Sequence, residues 1–467
     1  MKNQYPIQSS EFKLQMIPCL IIVGSLLTAQ AWAAEYWVHQ DRGNNQAVGT
    51  KELPFQSIDR GLKSLKPGDT LHVLPASKPY PNEVRIEKTP GTADLPITID
   101  GHGSIVSGWK KQSMSMWQDE GGGIFSRKME NNAWSMYHHW EGGFDLVHFD
   151  GRPGLNLTSQ DELKPGSYFL YKNRGESKTD LRHNTLYICL AEGETPDSVE
   201  VEGVTGLGGI YVGSDYVVLK NFITEYGGRD GFATFRGKGI IFENIEARFF
   251  MDQGMSNHGS EVIVRNAYFH NNAGCGIVDV YPESVVRYEN CLIENNPHRG
   301  GVQLSGGTYV MENCVVRGND IQALSTGKGA RVTLIDCAFI QGGTEAGRGI
   351  FLVGEGSALT LIRCRISGFP EGLSGTLFSD NNLSMENSVI EECQTDLKLS
   401  VRQKFGKEPF IPASSLSFSE NLIDTPKISI TALRQEESQK WLTKKISIDR
   451  KEDFERFIQF TEDAFTF

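Results

Sequence analysis

A short phrase returns eight times between residues 221 and 390, at steps of 22 to 27 residues. Its key positions are Phe222, Ile245, Ala267, Cys291, Cys314, Cys337, Cys364 and Ser388, most of them preceded by asparagine. Units of this length cannot bury an apolar face alone, so they have to stack. Three positions before the key residue lies an apolar row: Leu219, Phe242, Val264, Tyr288, Met311, Leu334, Leu361 and Met385. Two positions after it lies a second: Thr224, Ala247, Phe269, Ile293, Val316, Phe339, Ile366 and Ile390. Apolar and polar residues alternate between the rows, the period of strands with one buried face. A second short strand follows a glycine in most units, as at Gly231, Gly254, Gly276, Gly301 and Gly349. The pattern predicts an all-β chain coiled as a parallel β-helix, or solenoid, with a rise of ~4.8 Å per turn. Leucine-rich repeats need a leucine-asparagine consensus and propeller blades about forty residues, and neither fits.

In register, the key positions form one column of small buried groups, cysteines among them. The asparagines Asn221, Asn244, Asn266, Asn290, Asn313 and Asn387 are expected to form a ladder of amide hydrogen bonds. Seven cysteines follow residue 33, an odd number that rules out a disulfide framework as the organising principle. The net charge of −12 over 467 residues excludes a general nucleic-acid binder, which needs a basic surface.

Residues 1–33 read as an export signal. Lys2 and Lys13 flank a polar start, Met16–Leu27 is mostly apolar, and Ala31-Trp32-Ala33 is a small-x-small cleavage site. An uncleaved anchor is the alternative reading; otherwise the protein is secreted or periplasmic, begins near Ala34 and has no membrane span. Residues 34–104 hold an N-terminal cap and the first coils, with a helix from Ser57 to Leu65 covering the first turn and a strand at 70–74. Residues 105–205 break the rhythm and read as a β-rich insertion, whose Trp109, Trp117, Trp134 and Trp140 fill a small core in preference to stacking on sugars. The coils continue over 206–429. Residues 430–467 mix charge with Leu433, Trp441, Ile446 and Phe454 and are expected to form a helical C-terminal cap.

The segments Tyr36-Trp37-Val38, Gly49-Thr50-Lys51-Glu52-Leu53-Pro54-Phe55, Lys66-Pro67-Gly68-Asp69 and Leu95-Pro96-Ile97-Thr98-Ile99, together with the coils, resemble secreted right-handed parallel β-helix proteins of the pectate-lyase and chondroitinase-B kind. The resemblance implies a right-handed solenoid and a carbohydrate-active protein with a polysaccharide as partner. It also implies calcium, Ca2+, held by aspartates on adjacent coils, with lysine or arginine as base. Asp230-Gly231-Phe232 is similar to the first aspartate of such a cluster, and Asp252-Gln253-Gly254 to the next acidic pair with glutamine in one place. Ser256 stands where a further acidic ligand belongs, and Val278 and Gln303 stand where a basic residue would serve.

Counting outward from the glycines puts Asp230, Asp252, His258, His298, Arg299 and Gln303 on one face of four successive coils, spanning ~15 Å. Removing the proton next to a uronate carboxyl needs a cation on the carboxylate and a base. Arg299 serves as the cation, His258 or His298 as the base, Gln303 as a substrate contact, and calcium on Asp230 and Asp252 assists. The leading expectation is a lyase acting on an acidic polysaccharide as a monomer. The alternatives are a glycoside hydrolase using carboxylates ~5 Å apart on adjacent coils, or a non-catalytic carbohydrate-binding or structural solenoid. Asp279 is expected to turn inward beside Asn257 and Thr234 as a satisfied buried polar group. Each candidate has a plainer reading: Asp-Gly is a common turn, His298 follows Pro297 in one, and Arg299 can pair with Glu294 or Asp320. Gly101-His102-Gly103 is similar to a glycosidase triplet but lies at an early turn, away from this face. The sequence shows no zinc-ligand spacing, phosphate loop or nucleophile elbow.

Overall fold

The computed structural model describes residues 33–448 except 82, 130–143, 172–184, 206, 298, 343–346, 379, 404–415, 420–427 and 436–440. Residues 1–32, which hold most of the expected export signal, and His298 lie outside the described residues, as do Trp134, Trp140 and Phe454. No described helix is long and apolar enough to cross a membrane.

The chain is a parallel β-solenoid in which each coil crosses three sheets. One coil runs Val285–Glu289 in the first sheet, Leu292–Glu294 in the second and Gly300–Leu304 in the third. The next coil begins at Thr308–Glu312, directly beside the start of the one before. Twelve strands stack in the first sheet, from Glu35–Val38 to Leu416–Ser419. Both apolar rows read from the sequence are buried along their length. Cys291, Cys314, Cys337 and Cys364 are buried in one column and none forms a disulfide.

The first corner of each coil is a single residue in the left-handed region. Asn221, Asn244, Asn266, Asn290, Asn313 and Asn387 all take positive φ there, between 48° and 59°. Asparagine tolerates that conformation, and its amide bonds its neighbours in the stack: Asn313 to Asn290 at 2.7 Å, Asn290 to Asn266 and Asn244 to Asn221 at 3.2 Å. A second ladder lies inside the corner between the second and third sheets. Asn272 donates its backbone N–H to Oδ1 of Asn296 (3.0 Å), and Asn296 does the same to Asn319 (2.9 Å), with all three side chains buried. This ladder fixes the turns that carry the polar residues described below.

An inward column of glycines opens the third sheet: Gly209, Gly231, Gly254, Gly276 and Gly301. A Cβ at Gly276 would stand 2.3 Å from Cγ2 of Ile293 and 2.9 Å from the Gly301 carbonyl oxygen. Gly276→Ala is therefore expected to cost ~1–3 kcal/mol, read as an earlier urea midpoint with unchanged slope. A variant as stable as the wild type would show that the corner can open without cost.

At the N-terminal end the helix is shorter than its sequence pattern suggested. Ile58–Leu62 is capped by the Ser57 hydroxyl and buries Ile58 and Leu62 on the first coil. The C-terminal cap differs in kind from the expected helix. Ile428–Gln435 extends the third sheet in parallel beside Thr395–Gln403, and Trp441–Ile448 returns antiparallel as a hairpin. The open edge of the sheet offers unpaired backbone groups, and pairing with it outweighs the helical preference of a charged segment.

The insertion leaves the coil after Ile97–Ser107 and returns at Ile210–Val212, where the next coil turns in only 228–231. It forms a four-stranded and a five-stranded sheet around Trp117, Phe125, Leu146, Tyr168, Leu186 and Ile188. Trp109 packs against that core, against Tyr226 and against His148. The same core takes in Met251 and Ala273 of the coils, so the insertion is seated on the corner between the second and third sheets.

Candidate functional site

That corner carries the charged residues. Two positions before Gly231, Gly254, Gly276 and Gly301 stand Arg229, Asp252, Gly274 and Arg299, stacked one per coil through Gly274 N–H to the Asp252 carbonyl and Arg299 N–H to the Gly274 carbonyl. One position before each glycine stand Asp230, Gln253, Cys275 and Gly300. Glycine at 274 leaves the intervening coil without a side chain, and Nη1 of Arg299 reaches across it to 3.9 Å from Oδ1 of Asp252. The Nε2 amide of Gln253 donates to the same oxygen.

Asp230 and Asp252 are each only 8% exposed. Burial, with the neighbouring Asp252 carboxylate, pushes the Asp230 carboxyl well above the usual carboxylate range, and Arg229 opposes the shift. Burial raises Asp252 to about 6 against the pull of Arg299 and Arg229. Oδ1 of Asp230 is buried and has no hydrogen-bond partner among the described residues. Two carboxyls in one desolvated place oppose each other's ionisation. Two guanidiniums beside them offset their negative charge.

The outer face of the third sheet leads away from this pair. Ser256 and His258 alternate outward along Gln253–His258, and Ser256 Oγ lies 2.7 Å from Nε2 of His258. Burial, then the Arg229 charge, lowers the His258 pKa. The rise of the strand sets the His258 backbone on the order of 16 Å beyond Gln253, while its ring folds back onto Ser256 and feels the same Arg229 charge that acts on Asp230. There Phe235 and Tyr281 are 43% and 47% exposed, with the Tyr281 ring 5.7 Å from His258. Gln303 is committed to the turn: its Nε2 donates to the Arg299 carbonyl at 3.0 Å. Asp279 points inward, where it accepts hydrogen bonds from Asn257 and from the Tyr288 hydroxyl.

The structure brings Asp230, Asp252 and Arg299 to one corner, carries His258 on the strand that leaves it, and bonds Gln303 to the Arg299 carbonyl. Arg229 belongs to the constellation and was not singled out from sequence. Its place in the Arg229–Asp252–Gly274–Arg299 column is visible once residues are counted back from the glycines.

Comparisons bear on the fold. The family profile described as right handed beta helix region matches residues 179–308 and 277–426, together more than half of the chain. No curated protein matches the sequence. Among solved structures, a protein named XylC, determined in complex with xylose, aligns with a TM-score of 0.53 at 14% identity, covering 84% of this chain and 71% of its own. A glycoside hydrolase aligns at 0.43 and 11% identity (77% of this chain, 96% of that one), and a pectate lyase at 0.36 and 12% (84% and 78%). At these identities the likeness speaks to the fold alone.

Proposed function

The chain belongs to the right-handed β-helix family, and from that premise we propose that it is a carbohydrate-active enzyme that cleaves glycosidic bonds, with Asp230 and Asp252 as its acid–base pair. The observation that carries this reading is the buried carboxyl pair on successive coils, with Arg299 on one member only. Environments that push two carboxyls apart assign their roles. Asp230, the more strongly raised, holds the proton and delivers it to the departing glycosidic oxygen. Asp252, beside Arg299, stays the anion that supports the oxocarbenium-like centre or activates water. The sugar rings lie over Ala233, Ser256 and Val278, with Phe235 and Tyr281 as stacking surfaces. XylC, solved with xylose, lends this reading a precedent for sugar binding in the same fold.

Elimination is the second reading, supported by Arg299 as a group that neutralises a uronate and by His258, whose pKa burial lowers, as a base. Calcium enters with it. A calcium ion takes roughly six to eight oxygens, whereas this corner offers two carboxylates and the Gln253 amide, with Arg229 and Arg299 alongside. That donor set does not fit the ion, and no step here is routed through it.

Incubation with a panel of neutral and acidic polysaccharides, with calcium and with EDTA, tests the proposal. New reducing ends without unsaturated sugars, unchanged by EDTA, are expected. Unsaturated products would replace it with elimination, and activity lost to EDTA and restored by calcium would return the metal to the pair. Polysaccharide retained without any product would leave a binding module.

A further inference from the structure

The Gly101-His102-Gly103 triplet, set aside in the sequence because it lies far from the carboxyl face, has a different partner. The outer face of the first sheet carries a column in which Trp37, His72, Asp100 and Lys220 are in-register neighbours on four successive coils. Asp100 pairs with Lys220 and Ser104 with Phe222, so residues 101–103 stand opposite Asn221 alone and bulge out. His102 at the tip of the bulge takes φ +49°, a left-handed backbone that turns its ring back over the preceding coil. Its Nε2 comes to 2.9 Å from Nδ1 of His72. On the other side of the ring, Nδ1 of His102 is 3.8 Å from Oδ1 of Asp100.

Two ring nitrogens this close share one proton as an N–H···N hydrogen bond in the metal-free chain, and once that proton is lost both lone pairs can turn to a common cation. Asp100 is well placed to fix the His102 tautomer, because a proton on Nδ1 faces the carboxylate and leaves Nε2 free as a donor atom. The carboxylate is itself held: Oδ1 accepts from Asn221 Nδ2 (2.8 Å) and from His102 N–H (3.1 Å), and Oδ2 lies 3.3 Å from Lys220 Nζ. One donor atom from each of His72, Asp100 and His102 lies within 4.8 Å of the others, and this is the one such group among the described residues. His102 is 39% exposed, which leaves room for water to complete the coordination.

We propose that His72 and His102, supported by Asp100, form a binding site for a late first-row divalent ion such as Zn2+ or Cu2+. Imidazole nitrogens with a carboxylate select these ions over calcium, which takes oxygen. An ion here ties the strand Thr70–Val73 to the bulge of Ile97–Ser107 and so staples the N-terminal coils. The site lies on a different sheet from the carboxyl pair and does not rest on the enzymatic reading.

Calorimetric titration of the untagged protein with Zn2+, and the electron paramagnetic resonance spectrum of its Cu2+ complex, test this. The seven cysteines after residue 33 are buried and do not compete for added metal. One ion per chain is expected, with at least tenfold weaker binding in His72→Gln and in His102→Asn, the asparagine being chosen because it tolerates the left-handed backbone. The Cu2+ spectrum should show coupling to two imidazole nitrogens. Cu2+ should also quench the emission of Trp37, whose ring centroid lies 4.8 Å from that of His72, and the quench should vanish in Trp37→Phe. No stoichiometric binding to the wild type, binding retained in both histidine variants, or a spectrum with fewer than two nitrogens would overturn the proposal. The wild-type spectrum decides the matter even if a variant fails to fold.

Discussion

Asp252→Asn is expected to lower the rate of glycosidic cleavage by roughly 10³-fold while leaving the fold intact, within the range for loss of a positioned acid–base group. The substitution keeps the size of the side chain and its acceptor for the Gln253 amide. It removes the anion opposite Arg299 and the partner that helps raise Asp230. The pH profile should therefore change as well as the rate. In the wild type, activity falls at high pH as the Asp230 proton is lost, and the raised Asp252 value of about 6 puts the acidic limb above the ordinary carboxylate range. In the variant the residual activity should lose that acidic limb. A variant with wild-type turnover would remove Asp252 from the chemistry, and a proportionate loss of folded protein would make its role structural.

The second large effect is on stability. Asp279 is fully buried in the core, and burial moves its carboxyl from 3.8 to about 7 against the hydrogen bonds from Tyr288 and Asn257. Below pH 3.8 the carboxyl is protonated in both folded and unfolded chains. Between 3.8 and about 7 the unfolded chain releases the proton while the folded one keeps it, so the folded state binds more protons and stability falls as pH rises. Above about 7 both are ionised and the loss levels off, at ~4 kcal/mol in all. Asp279→Asn keeps Oδ1 as the acceptor for Asn257 and reverses the bond to Tyr288, whose hydroxyl then accepts from Nδ2, without the titration. The variant should match the wild type near pH 4 and exceed it by up to a few kcal/mol at pH 8, read by urea unfolding at each pH. Parallel curves for the two proteins would mean that Asp279 does not keep a proton in the folded chain.

These two aspartates show what the sequence made legible. The period of 22 to 27 residues, the alternation within it and the inward turn of Asp279 could all be counted along the chain, because stacking converts sequence distance directly into vertical distance. The asparagine row at the first corner was legible for the same reason. The buried ladder of Asn272, Asn296 and Asn319 repeats at the same step, but these residues lie in irregular turns where no alternation tells inside from outside. Arg229 went unnoticed because glycine at 274 breaks its column, although that gap is what lets Arg299 reach Asp252. His72 and His102 lie thirty residues apart with no ligand motif, and only the three-residue bulge sets their rings together. The last segment misled because its charge pattern suits a helix, while the open sheet edge beside Thr395–Gln403 supplies the backbone partners that make it a strand.

Stacked coils bury Asp230 and Asp252 together, and their roles as acid and base require that one of them hold its proton well above the ordinary carboxylate range. A carbon NMR titration of the aspartate carboxyls, run in an Asp279→Asn background and assigned with Asp230→Asn and Asp252→Asn, measures it directly. One carboxyl of the pair titrating at about 6 or above, and shifting downward when its partner is replaced, is the predicted result. Two independent titrations at ordinary carboxylate values, each indifferent to the other substitution, would contradict it.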